Sequence, residues 1–154
     1  MPGNYAYSVV TGKVTLTAAA TKSLWLLNPV TNPIRLTEVS VSFDGSTSAQ
    51  GVQVDLYRVA TLGSPAGTTG TVSLLTDDNT PAATTTALTA LTAEPTSVTV
   101  LRQWMVSPFG GLYIGQEVLD RELGTKSAGS RIGLRYTTAS GVSPNAVSYV
   151  TFVE

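Results

Sequence analysis

TAEPTSVTVLRQWMVSPFGGLYIGQEVLDRE, residues Thr92 to Glu122, decides the fold class. Its first apolar run holds Val98, Val100, Leu101, Trp104, Met105 and Val106. A Pro-Phe-Gly-Gly segment follows, and a second apolar run extends from Leu112 to Leu119. β-Branched and aromatic residues suit a pleated, half-buried surface, and Pro and Gly punctuate chains at turns. The stretch therefore reads as two antiparallel strands joined at Ser107 to Gly111, a hairpin placed at the centre of a sheet.

Upstream, Ile34 and Leu36 share one parity and Val39, Val41 and Phe43 the other, so a straight strand would turn part of its apolar set to water. A β-bulge at Thr37-Glu38 restores one buried face. Asp44-Gly45 then marks a turn, and Val52, Val54 and Leu56 alternate cleanly beyond it. Residues 34–43 are expected to pair with 52–59. Earlier still, Ser23 to Leu27 is a continuous apolar run ending at Asn28-Pro29, which fits a strand buried on both faces over Lys22 to Asn28. Residues 1–10, with Tyr5 and Tyr7, read as an N-terminal arm that orders on a partner or as an ordinary first strand.

Downstream, Ile132, Leu134 and Tyr136 alternate with Gly133 and Arg135, and Val147 to Val153 forms a last strand. The Thr-, Ala- and Gly-rich segment 61–92 reads as a surface excursion with one short strand near Val72 to Leu75. Short strands at roughly ten-residue spacing without a helix point to an all-β, single-domain antiparallel β-sandwich, jelly-roll-like, over residues 11–154.

Composition narrows the function classes. Only 12% of the 154 residues are charged and the formal net charge is -1, with basic residues scattered singly. Phosphate binding draws on clustered Lys and Arg, so nothing here favours a nucleic-acid partner. With neither Cys nor His in the chain, thiolate chemistry, a conventional catalytic triad and the commonest transition-metal ligand are all excluded. Neither a signal peptide nor a membrane span is recognisable, so synthesis in the cytoplasm is expected.

The remaining chemical candidates are weak. Asp77-Asp78-Asn79 is a tight oxygen-ligand cluster but lacks calcium-loop spacing, and reads as an Asx-rich turn. Glu117, Asp120 and Glu122 could be imagined as paired catalytic carboxylates. However, Glu117 and Asp120 differ in strand parity, and Arg121 sits between two acids as an ion-pair partner. Trp25 and Trp104 could stack on sugar rings, yet each lies inside an apolar run and reads as core. No enzyme and no cofactor is expected.

Thr92-Ala93-Glu94-Pro95, Val100-Leu101-Arg102-Gln103-Trp104-Met105-Val106-Ser107-Pro108 and Gly111-Leu112 together resemble a pattern in small proteins encoded beside the major capsid gene of tailed actinobacterial phages. Leu119-Asp120-Arg121-Glu122, Gly133-Leu134-Arg135, Val150 to Glu154, and Glu38 to Gly45 extend the resemblance. It implies a capsid decoration protein on the outer face of an icosahedral virion, bound to major capsid protein as a homo-oligomer, a trimer favoured over a dimer. Tyr5, Tyr7, Arg102, Trp104, Met105 and Phe109 are the candidate contacts, because aromatic residues, Met and Arg are enriched at interfaces. A carbohydrate-binding sandwich module is the alternative, and an exposed tryptophan would favour it.

Overall fold

A computed structural model describes residues 5–75, 82–115, 123–125, 127 and 129–154. Asp77 to Asn79 and Glu117 to Glu122 lie outside the described residues. Among the described residues twelve strands follow one another: β1 (Ala6–Val10), β2 (Val14–Thr15), β3 (Thr21–Asn28), β4 (Arg35–Asp44), β5 (Val52–Thr61), β6 (Ala66–Gly70), β7 (Val72–Leu74), β8 (Thr86–Ala93), β9 (Ser97–Val106), β10 (Gly111–Ile114), β11 (Ile132–Thr137) and β12 (Asn145–Val153). They form two antiparallel six-stranded sheets. The first has the order β10-β4-β12-β1-β7, with β2 also paired to β12, and the second the order β6-β8-β3-β11-β5-β9. Packed against each other, they make a β-sandwich, as the alternating sequence required.

The core follows from strand parity. The first sheet turns Tyr7, Val9, Val39, Val41, Phe43, Val150 and Phe152 inward; the second contributes Trp25, Leu27, Val54, Leu56, Ile132 and Leu134. Trp25 is fully enclosed, so its indole N–H needs a partner. It donates to Ser148 Oγ at 3.0 Å, and that hydroxyl donates onward to the Ser40 carbonyl at 2.7 Å. One serine thus ties the two sheets together through the interior. The expected bulge is present: Glu38 pairs with Thr151 and Leu36 with Phe152, leaving Thr37 as the additional residue. Leu36 is thereby buried with Val39, Val41 and Phe43.

Two expected pairings do not form. β4 pairs with β12 and β10, whereas β5 pairs with β11 and β9, so the turn after Asp44 is an arch between sheets rather than a hairpin. Likewise β9 and β10 lie in different sheets, each at an edge instead of a sheet centre. The physical reason is common to both. Two consecutive strands with apolar inner faces can lie side by side or oppose each other across the core, and both arrangements bury the same parity.

Residues 61–92 also carry more strand than expected. Besides β7 at Val72–Leu74 they contain β6 and most of β8. In β8 the inward positions are Ala87 and Thr89, a small and a β-branched residue whose hydrophobicity is too low to announce a strand.

β3 is buried over Ser23 to Leu27, on both faces. Its outer face is covered because β8 and β9 stand on opposite sides of β3, β11 and β5, so the chain between them must cross that sheet. Ala90, at φ 47°, turns the end of β8 away from β3, while Ala93 still pairs with Ala66 of β6. Leu91 then packs with Tyr57 and Leu26, and both Glu94 carboxylate oxygens accept from Ser23, from its backbone N–H and its hydroxyl.

Candidate interaction surface

The six predicted contact residues divide three ways. Tyr7 belongs to β1, an interior strand of the first sheet, where it is 3% exposed and stacks on Phe152 at a centroid distance of 5.8 Å. Tyr5 packs against the core beside it. Residues 6–10 are therefore a docked first strand, and the arm reading is corrected: the pairing of Ala6 with Val153 through Val10 with Tyr149 takes up their backbone groups.

Arg102, Trp104, Met105 and Phe109 do come together along one rim, where β9 ends the second sheet and β10 begins the edge of the first. The pleat sorts them. Trp104, on the inner face, is half-buried against the core. Met105, its neighbour, points outward and is 71% exposed. It lies over Gly51, where an added Cβ would stand 2.8 Å from the Met105 sulfur. The turn is built by Gly110 N–H donating to the Ser107 carbonyl at 3.1 Å and Phe109 N–H donating to Ser107 Oγ at 3.3 Å. Gly110 in turn accepts from Phe43 N–H at 2.8 Å. Pro108 is buried, and this leaves Phe109 at the tip, 62% exposed.

The outer face of the second sheet holds a polar network. Asp55, only 1% exposed, accepts from Arg135 Nε at 3.0 Å, Gln103 Nε2 at 2.9 Å and Gln53 Nε2 at 3.2 Å. Tyr57 lies over Gly133, where a Cβ would meet its hydroxyl at 2.5 Å. The Tyr57 hydroxyl is 2.7 Å from Ser23 Oγ, and the Arg135 guanidinium stands 5.8 Å from its ring centroid. Burial raises the Tyr57 phenol far above the ordinary tyrosine value, and Glu94 adds to this, against the Ser23 hydrogen bond and Arg135. These groups satisfy one another and are closed to a ligand; they hold the β8–β9 crossing in place. Beside them, Leu26, Leu62, Pro65 and Leu88, with Asn28 and Arg131, line an open groove of about 400 Å³.

The outer face of the first sheet exposes Val10, Tyr113 and Val147. Cross-strand register puts Tyr113, Ser40, Tyr149 and Val10 in one row over β10, β4, β12 and β1. The next row runs Glu38, Thr151, Ser8, Ser73. Tyr113 is 60% exposed, and Gly115 beside its ring contributes no side chain to crowd it. Partial desolvation, then the adjacent Glu38 carboxylate and Tyr149, raise the Tyr113 phenol above its ordinary value. Sequence reasoning missed this group. The signal was there in the parity of Leu112, Tyr113 and Ile114, which turns Tyr113 away from the core, but Tyr149 is brought to it only through Ser40 of β4, a strand far from both in sequence.

Among the described residues no group of three or more acidic residues could hold a metal ion, and no helix is long and apolar enough to cross a membrane. The fold and its surfaces define a two-sheet sandwich with exposed large side chains on the β9 rim (Val100, Met105, Phe109) and on the outer face of the first sheet (Val10, Tyr113, Val147), besides Val30 and Leu75 in loops. Comparison with protein-family models, curated proteins and solved structures finds no match to this chain.

Proposed function

We propose that this chain is a capsid decoration protein that docks on the outer surface of a phage head through the rim formed by β9 and the Ser107–Gly110 turn. One observation carries the reading: Met105 and Phe109 present large apolar side chains to solvent on the same rim, with Val100 further along the same edge strand. A long edge strand whose single charge is Arg102 is a surface that proteins ordinarily protect, and one that partners use. The resemblance in the TAEP, LRQWMVSP and LDRE segments supports the same reading. As a homo-oligomer, with a trimer favoured, several modest rim contacts would engage several capsid subunits at once, and avidity would supply the affinity.

The test is to count this chain against the major capsid protein in purified particles by quantitative mass spectrometry, for the natural chain and for a Met105→Lys, Phe109→Ser variant. We expect abundance on the order of the capsid subunit for the first. For the variant, occupancy should drop at least tenfold, with circular dichroism unchanged, since loss of two interface anchors removes about 2–4 kcal/mol. Full occupancy of the variant would remove the rim from the proposal, and absence of the chain from particles would remove the virion.

A further inference from the structure

We infer that the outer face of the first sheet, centred on Tyr113, Glu38 and Tyr149, is a binding platform for an extended, neutral glycan chain. The proposal is independent of the capsid reading, because it concerns a different face of the sandwich. Trp25 is enclosed and Trp104 is turned toward the core, so the tryptophans offer no stacking surface. The tyrosines of this face do.

Three features of the platform identify the ligand. First, the row register separates Tyr113 from Tyr149 by two strand intervals, about 9.5 Å, with only the small side chain of Ser40 between them. Two aromatic rings at that spacing, with nothing tall in between, suit a polymer lying across the strands and placing alternate rings on alternate aromatics. Second, the surroundings are low and hydroxyl-rich: Ser8, Ser40, Ser42 and Ser73 all occupy outward positions of this sheet. A pyranose chain presents apolar C–H faces to tyrosine rings and hydroxyl edges to serines at the same time. Third, Glu38 stands beside Tyr113, and an ionised carboxylate only accepts hydrogen bonds, which suits sugar hydroxyls as donors. Lys13, at the edge of this face, is paired with Asp44 at 3.6 Å, and Arg35, the next outward position of β4 before Glu38, is itself engaged. The carboxylate at the centre of the platform repels an anionic glycan, so the platform favours a neutral one.

The test uses the isolated full chain and immobilised linear neutral glycans, namely β-1,4-glucan, β-1,4-xylan and chitin oligosaccharides, with a sulfated glycan as the charged comparison. Binding to at least one neutral chain, and weaker binding to the sulfated one, is expected. Tyr113→Ala and Tyr149→Ala should each weaken binding about tenfold. Glu38→Ala should weaken it several-fold, and the rim variant Phe109→Ser should leave it unchanged. Both tyrosines are outward-facing, so circular dichroism should match the natural chain for each variant. Absence of binding to every neutral glycan overturns the inference, as does binding by the two tyrosine variants that equals that of the natural chain. If those variants instead lose particle occupancy while glycans do not bind, the face is a protein contact and the glycan platform is overturned.

Discussion

At the scale of single residues, the buried phenol of Tyr57 has the sharpest solution consequence. Its folded-state value is raised above the ~10 of an unfolded chain. The sign follows from linkage: the contribution is fully present below about pH 10 and declines as pH rises beyond it, because the unfolded chain releases the proton while the folded one keeps it. Urea midpoints should therefore fall between about pH 9 and pH 11, and more steeply for the natural chain than for Tyr57→Phe. Some slope should persist in the variant, since burial raises Tyr7 as well. The variant should also begin about 1 kcal/mol less stable at neutral pH, from loss of the Ser23 hydrogen bond. Equal slopes would show that Tyr57 ionises freely. Residue type singled out Met105 and Phe109, and both are exposed, Phe109 within the Ser107–Gly110 turn. The same reasoning misplaced Tyr7, since a tyrosine near a terminus looks the same whether its strand is docked or loose.

Elements were legible where alternation was clean, and the bulge was legible too, because parity in β4 breaks at one place. Deleting Thr37 tests that reading. Without the extra residue, Ile34, Leu36, Val39, Val41 and Phe43 fall on one parity and Leu36 still faces Phe152. We expect the deletion variant to keep a cooperative unfolding transition by circular dichroism, with a loss of about 1 kcal/mol for the hydroxyl pair that Thr37 makes with Thr151 at 2.6 Å. Deleting Ser40 from the regular part of β4 instead puts Val39 and Val41 on opposite faces and exposes at least two large side chains, about 3–6 kcal/mol, a large share of a typical 5–15 kcal/mol, so that variant should lose the transition. Equal loss in both would mean that Thr37 is not an extra residue in the register. What alternation did not disclose was the sheet each strand joins. Phe43 and Val52 carry the same inward parity whether Gly45–Gly51 is a hairpin or an arch, and the choice is made by β12 and β11, which arrive much later in the chain. β8 escaped for a different reason: Ala87 and Thr89 bury too little apolar surface to stand out from a loop.

Over the whole molecule, the tyrosine-bearing face of the first sheet could not be read from the sequence, since it is assembled from distant strands. Tyr113 and Tyr149 meet through β4, and the rim exists because β9 and β10 end two different sheets on the same side. Cross-strand register also brings residues 5–6 beside residues 153–154. Ala6 pairs with Val153, and Glu154 N–H donates to the Tyr5 carbonyl at 3.2 Å. Beyond them the Glu154 carboxylate accepts from the N–H groups of Thr84 and Thr85 and from the Thr84 hydroxyl. In topological terms residues 5–154 almost close a loop, and where that loop is cut becomes a matter of convenience. A circular permutant that joins Glu154 to Tyr5 by a short Gly-Ser linker and opens between Ser48 and Gln50, in the arch after β4, should fold with an unfolding midpoint close to that of the natural chain, checked by thermal melting. Collapse of that midpoint would show that the arch itself is needed to bring the two sheets into register.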